Sequence, residues 1–313
     1  MRRVLGLVLG LALIAGNVGG GRAAIASRSA APAATPAAAE PIEPPAAVGG
    51  DYDAFTPVVV ALVGGNTAAV RGSDGRYHVV YELLLTNTAA GPAQLRGVTV
   101  LDAADATAVL GLTGAEMVAS QALRLLDTQP AADATLPANA ARVLLLDVTF
   151  AAAAAVPHAL THRLDILSPS SFSDTPAPFS YQAGVLDLSR RTPPVLSPSL
   201  AGNGWIAAEG CCDPSSHHRN GVWPINGGLY AGQRFGIDWI RIDAAGRLVT
   251  GGPADVANWV GYGAKVMAAA DGVVIAAEDG LPNQTPGVQP DLSTMALAEN
   301  DGNHVVIDHG NGF

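Results

Sequence analysis

The residues of this chain best suited to chemistry lie between positions 211 and 238. Two cysteines and two histidines are close together at Cys211, Cys212, His217 and His218, and Asp238 follows later in the chain. Thiolates, imidazoles and carboxylates are the usual ligands of zinc and related divalent ions. Metal binding is therefore the first chemistry that these residue types indicate.

The stretch CCDPSSHH at 211–218 permits two interpretations. Neighbouring residues of an extended chain point to opposite sides, so only two or three of these side chains can converge on one ion. Paired zinc cysteines are also normally separated by two or more residues. The alternative is a disulfide between the adjacent cysteines, as oxidising compartments allow, or a Cys–Cys pair packed in a loop.

Three glycine-containing, β-prone segments follow residue 200. The first, GGLYAGQRFGIDWI at 227–240, is typical of a turn entering a strand, in which Gly236 permits a close backbone approach. The second, GAKVMAAADGVVIA at 263–276, predicts two strands hinged at Asp271-Gly272. The third, DGNHVVIDHGNG at 301–312, predicts another turn and strand.

In this order, the three segments resemble the lysostaphin-like (LytM-type) zinc metallopeptidases, which cut peptidoglycan cross-links. The resemblance covers 205–313 and implies a lysostaphin-like β-sheet domain, a Zn²⁺ cofactor and peptidoglycan or wall peptides as partners. In that family the first segment carries HxGxD, whose histidine and aspartate bind zinc. A later HxH supplies the third ligand and a catalytic histidine.

Two departures from the family pattern lead us to expect an inactive chain. Asp238 matches the ligand aspartate, but Arg234 occupies the position of the ligand histidine, and a guanidinium has no lone pair to offer. HxH does not occur, and the sequence stops at Phe313 before the strand that would carry the next histidine. We therefore expect a truncated domain with an incomplete catalytic zinc site.

Two further functional hypotheses follow from the same residues. In a non-catalytic binding or regulatory module of the cell wall, Arg234 would pair with Asp238 or with a carboxylate of a wall peptide. In a plain secreted β-sandwich adhesin, the last domain would have only a structural role.

The region 51–190 alternates short β-prone runs with turn signals. The clearest strand is 77–86, whose alternate apolar residues share one face. About seven such strands predict an all-β, immunoglobulin-like β-sandwich without its usual cysteine pair. A helix within 110–126 and a helical turn at 151–155 are also expected. The other predicted strands are Gln94–Asp102, Leu123–Asp127, Arg142–Phe150 and Thr161–Leu167.

Three histidines of this region, His78, His158 and His162, are isolated among strand residues. No carboxylate or cysteine is spaced with them as in known metal sites. We expect ordinary surface or packed histidines without a catalytic role.

The amino terminus indicates export. A basic start at 1–3, an apolar stretch at 4–15 and Ala24-Ile25-Ala26 match a signal peptide over 1–26. An Ala/Pro-rich linker at 27–50 follows, and 191–204 is a Pro-rich connector. We therefore expect a bacterial protein that is periplasmic, cell-wall associated or secreted.

Composition excludes two function classes. The formal net charge of -10 offers no electrostatic footprint for a nucleic acid. Beyond residue 20, no apolar run approaches the roughly 20 residues of a membrane-spanning helix. We expect no transmembrane segment after signal removal.

Overall fold

The computed structural model describes residues 55–64, 67–170, 172–288 and 296–313. The predicted signal peptide at 1–26 and linker at 27–50 lie outside the described residues. Within them, antiparallel strands dominate and the α-helices are short. The all-β fold class is confirmed.

Ten strands and one α-helix precede residue 190 in the described residues. In chain order they are β1 (Val58–Val63), β2 (Val70–Arg71), β3 (Tyr77–Asn87), β4 (Ala93–Asp102), β5 (Ala108–Thr113), α1 (Gly114–Ala119), β6 (Leu123–Arg124), β7 (Thr135–Leu136), β8 (Ala141–Phe150), β9 (Ala159–Ser170) and β10 (Ser173–Asp187).

These strands form two antiparallel sheets that share one apolar core. The first sheet has the order β1-β3-β8-β6, with β2 also on β3, and the second has the order β10-β9-β4-β5, with β7 on β4. The core combines Leu83 and Leu144 of the first sheet with Val98 and Leu164 of the second, all almost fully buried. Alternation of apolar residues positions both sheets on this core.

Strand β3 departs from simple alternation because both of its faces are buried. Val79, Tyr81 and Leu83 lie in the core as predicted, but Val80 and Glu82 are also inaccessible. A buried carboxylate requires partners. Those of Glu82 come from the segment that carries the candidate site.

Most of the predicted elements of this region are confirmed. The helix expected within 110–126 is α1, which begins at a capping box in which Thr113 N–H donates to Glu116 Oε2 at 2.8 Å. A 3₁₀ turn covers Ala153–Ala155. Strands β2, β5, β7 and β10 were not predicted. The sequence of β10, SDTPAPFSYQAGVLD, contains turn-forming residues that hide the period of two.

The described chain divides into two compact units. Among the described residues, one unit combines 55–194 with 207–239, and the other combines 195–206 with 240–313. The segment that contains Cys211 to Asp238 therefore belongs to the two-sheet unit. The domain boundary at residue 205 stays a prediction from sequence.

The later elements are few and short. They are β11 (Trp205–Glu209), α2 (His217–Asn220), β12 (Trp223–Ile225), β13 (Gly228–Tyr230), β14 (Asp238–Arg241), β15 (Val273–Glu278) and β16 (His304–Asp308), with 3₁₀ turns at Val256–Asn258 and Leu297–Glu299. Strands β11 and β14 are neighbours, as are β12 and β13.

The hairpin predicted at Asp271-Gly272 is wrong, because β15 pairs with β16 instead. The glycine has a different purpose. A Cβ atom on Gly272 would lie 2.5 Å from Ile307 Cγ2 and 2.6 Å from the carbonyl oxygen of Asp308. Gly272 therefore permits the close approach of β16 rather than a turn.

In the part of the chain that the structure describes, no helix has the length and apolar character needed to span a membrane.

Candidate metal centre

Three side chains that can bind a metal converge in the unit that contains residues 207–239. One ligand atom each from His217, His218 and Asp238 lies within 4.8 Å of the others. The Nε2 atom of His218 is 3.2 Å from Asp238 Oδ1, and the Nε2 atom of His217 is 3.8 Å from Asp238 Oδ2. Both imidazoles therefore face one carboxylate.

The two adjacent histidines lie at the start of a single helical turn, α2. Asp213 Oδ1 accepts hydrogen bonds from Ser215 N–H at 2.8 Å and from Ser215 Oγ at 2.7 Å, which turns the chain ahead of α2. The N–H of Gly221 donates to the carbonyl of His217 at 2.9 Å and closes the turn. The two imidazole rings lie with their centroids 4.3 Å apart.

Each imidazole is oriented through its Nδ1 atom. His217 Nδ1 lies 2.7 Å from Glu209 Oε2, and the backbone N–H of His217 donates to Glu209 Oε1 at 2.9 Å. His218 Nδ1 lies 3.0 Å from the carbonyl oxygen of Gly236. A carbonyl only accepts, so Nδ1 of His218 carries a proton, and Nε2 is the ring nitrogen that faces Asp238.

Gly236 permits this arrangement, as the sequence predicted. A Cβ atom at this position would lie 3.2 Å from His218 Nδ1 and 3.1 Å from the carbonyl oxygen of Gln233. Those distances are tighter than ordinary van der Waals contacts. The missing side chain therefore lets His218 reach the backbone.

Asp238 begins β14 and is almost inaccessible, with its side chain 8% exposed. Its Oδ2 atom is buried without a hydrogen-bond partner. Burial raises the pKa of the Asp238 carboxyl, and the neighbouring His218 and His217 oppose that rise. A positive charge in front of Asp238 would stabilise its ionised form.

Arg234 is engaged elsewhere, and the predicted pairing with Asp238 is wrong. Its Nε donates to Glu82 Oε1 at 3.0 Å, and its NH2 also contacts Glu82. Arg219, which follows the two histidines, binds the same carboxylate and donates to the carbonyls of Tyr81 and Leu146 at 3.0 and 3.1 Å. The buried guanidinium of Arg219 needs such partners, and Glu82 is the carboxylate on β3 that it contacts.

Cys211 and Cys212 are joined in a disulfide. Their sulfurs are therefore not thiolates, and neither belongs to the group formed by His217, His218 and Asp238. Of the four residues in the predicted cluster, the two histidines alone join Asp238 in the described structure.

The histidines of the two-sheet region serve packing or surface contacts, as predicted. His162 is buried between the hydroxyl of Tyr81 and the carbonyl of Gly184, at 2.7 Å from each. His78 does have carboxylate neighbours in space, because Asp74 and Asp147 lie 3.2 and 3.0 Å from its ring nitrogens. His158 is exposed beside Arg190.

Sequence reasoning missed three residues that orient the site, namely Glu82, Glu209 and Arg219. One signal was available for Glu82, which is the single acidic residue in the mostly apolar run YHVVYELLLT. Glu209 and Arg219 carry no comparable signal in the sequence, because charged residues are common near turns and nothing local shows that Arg219 is buried.

The comparisons with known proteins do not name a family for this chain. No protein-family model and no curated protein matches it. A solved structure, the X-ray structure of Northeast Structural Genomics Consortium target SoR45, is 12% identical over 43% of this chain and 87% of that chain, with a TM-score of 0.26. A likeness of that size carries no argument about fold or function.

Proposed function

We propose that this chain is an exported cell-envelope protein of the peptidoglycan metalloendopeptidase type, with an incomplete catalytic site. The observation that supports the proposal is the buried Asp238 carboxylate faced by two imidazoles. It lies at the position where the motif resemblance implies a metal-ligand aspartate. The partner class is then peptidoglycan or its cross-linked wall peptides, and the cofactor is Zn²⁺.

The residues of the site fit such an ion in their donor chemistry, since imidazole nitrogen and carboxylate oxygen both bind zinc. A zinc ion supplies Lewis-acid polarisation of a carbonyl and activation of water. Asp238 and His218 would hold it from the buried side. His217 lies on the opposite side of the site, where its side chain is 53% exposed to solvent.

Efficient cleavage requires more than a metal site, because the developing oxyanion must also be stabilised. Among the described residues, the convergent group contains three side chains and no further histidine. We therefore expect this chain to recognise wall peptides without cutting them efficiently.

In this proposal, the two-sheet unit is the scaffold on which the site segment is held. We propose that its sandwich is immunoglobulin-like, on the support of two antiparallel sheets around a shared core. The site segment is attached to it through Glu82.

Co-sedimentation with purified peptidoglycan sacculi tests the proposal. The chain should sediment with sacculi, and chromatography of the supernatant should show no released muropeptides in the presence of ZnCl₂. Failure to sediment would contradict a wall protein. Release of cross-link fragments would contradict the incomplete site and assign an active endopeptidase.

A further inference from the structure

We propose that His217, His218 and Asp238 form a binding site for a zinc-class divalent ion, with Glu209 as a positioning residue for His217. The inference deepens the proposed function, on which it rests for the choice of zinc, by naming the metal ligands of that site. Its geometry is independent of any sequence motif.

The spacing of the donor atoms matches a small tetrahedral ion. Zinc–nitrogen and zinc–oxygen bonds of about 2.0–2.1 Å at tetrahedral angles place neighbouring ligand atoms about 3.3 Å apart. The Nε2 atom of His218 lies 3.2 Å from Asp238 Oδ1 and that of His217 lies 3.8 Å from Asp238 Oδ2, and these two separations bracket that value. The three ligand atoms lie within 4.8 Å of one another, so binding of one ion requires the side chains to move closer together.

The unpartnered oxygen of Asp238 is the second observation that points to a ligand. A buried carboxylate oxygen without a hydrogen bond is costly, and native structures rarely leave one unexplained. Asp238 Oδ2 is such an atom, and His217 Nε2 at 3.8 Å is too distant to be its hydrogen-bond donor. A cation between them would satisfy both groups.

The orientation of the imidazoles follows the pattern of metal-binding histidines. Such histidines donate the proton of the other ring nitrogen to a carboxylate or a backbone carbonyl, which fixes the tautomer. His217 uses the carboxylate of Glu209 at 2.7 Å, and His218 uses the carbonyl of Gly236 at 3.0 Å. Both Nε2 atoms are thereby directed to Asp238.

The donor set selects a class of metal. Two imidazoles and one carboxylate suit Zn²⁺ and its neighbours in the first transition series, whereas Ca²⁺ and Mg²⁺ require mostly oxygen ligands. The disulfide removes Cys211 and Cys212 as soft thiolate ligands. Exposure of His217 leaves the fourth position accessible to water.

Calorimetric titration of the EDTA-stripped full chain with ZnCl₂ tests the site. We expect one zinc ion per chain, with no competition from excess Ca²⁺ or Mg²⁺. Asp238→Asn and His218→Ala should each weaken zinc binding at least tenfold. Glu209→Gln should weaken it by about tenfold, the lower end of the effect of removing an outer partner of a metal ligand.

His158→Ala is the matched control, because it removes an exposed histidine outside the group and should leave zinc binding unchanged. Thermal unfolding in EDTA checks that each variant is folded. Added zinc should raise the melting temperature of the parent chain but not that of Asp238→Asn. His217→Ala changes an exposed side chain, so it keeps the test valid if a buried variant fails to fold.

Two results would overturn the inference, namely the lack of stoichiometric zinc binding, and zinc affinity that Asp238→Asn and His217→Ala leave unchanged. The first would assign a plain histidine–aspartate ion pair. Co-sedimentation with sacculi in EDTA is a separate measurement, so failure of wall binding and failure of the metal site are distinguishable.

Discussion

At the scale of single residues, Gly236 has a role that is specific to the site. Its carbonyl accepts from His218, and a Cβ atom there would crowd that imidazole at 3.2 Å. The sequence predicted a close approach at this glycine but not its partner, because His218 belongs to a different turn. Contacts between turns depend on tertiary packing, which local pattern does not encode.

Gly236→Ala should therefore weaken zinc binding about tenfold, through displacement of a ligand by a few tenths of an ångström. Gly232→Ala is the matched control, since no atom lies within 4 Å of a Cβ at that position. Parallel calorimetric titrations measure both affinities. Equal affinity of the two variants would show that Gly236 does not position His218.

His162 makes stability depend on pH. Burial lowers the pKa of His162 to about 4 from an ordinary 6.5, although the carbonyl of Gly184 favours the charged form. In the unfolded chain the ordinary value returns, so the unfolded state binds more protons between about pH 6.5 and pH 4. As the pH falls through that window, the contribution of His162 to the free energy of unfolding should decrease by about 1.4 kcal/mol per pH unit, about 3 kcal/mol in all, and above the window this contribution should stay level.

Urea unfolding of the parent chain and His162→Gln at several pH values measures this contribution. The variant should lose most of the difference between pH 6.5 and pH 4, after allowance for its lower stability at neutral pH. His158→Gln, an exposed change, should retain it. The account of His162 would be wrong if His162→Gln had the same pH dependence as the parent chain.

At the scale of elements, strand β3 connects the sandwich to the site. Its residue Glu82 is fully buried and binds both Arg219, which follows the histidines of α2, and Arg234, which precedes Gly236 and Asp238. One carboxylate therefore fixes both segments that carry donors. The alternating apolar residues of β3 made the strand predictable from sequence. The partners of Glu82, which are distant in sequence, could not be predicted in that way.

Glu82→Gln should lower the free energy of unfolding by about 3–5 kcal/mol, because it leaves two guanidiniums without their counter-charge. Folded protein that remains should bind zinc more weakly. Asp243→Asn is the control, since solvent screens the surface pair between Asp243 and Arg247 and its loss should change stability little. Denaturant unfolding measures both losses of unfolding free energy. If the loss for Glu82→Gln were as small as the loss for Asp243→Asn, Glu82 would not anchor the site segments.

At the scale of the whole molecule, the site segment belongs to the same compact unit as the two sheets. The alternating strands β3, β4, β8 and β9 made that unit's all-β class predictable from sequence. Asp238 was predicted from its motif, and the two histidines from their residue type. Their convergence depends on a buried glutamate distant in sequence, and no local pattern carries that information.

X-ray absorption spectroscopy at the zinc edge of the zinc-loaded chain tests the central claim most directly. The account predicts nitrogen and oxygen neighbours at about 2.0–2.1 Å, with outer-shell scattering from two imidazoles, and loss of this signal in Asp238→Asn. Sulfur neighbours at about 2.3 Å would contradict it, because they would assign the metal to Cys211 and Cys212. A spectrum that Asp238→Asn leaves unchanged would contradict it equally.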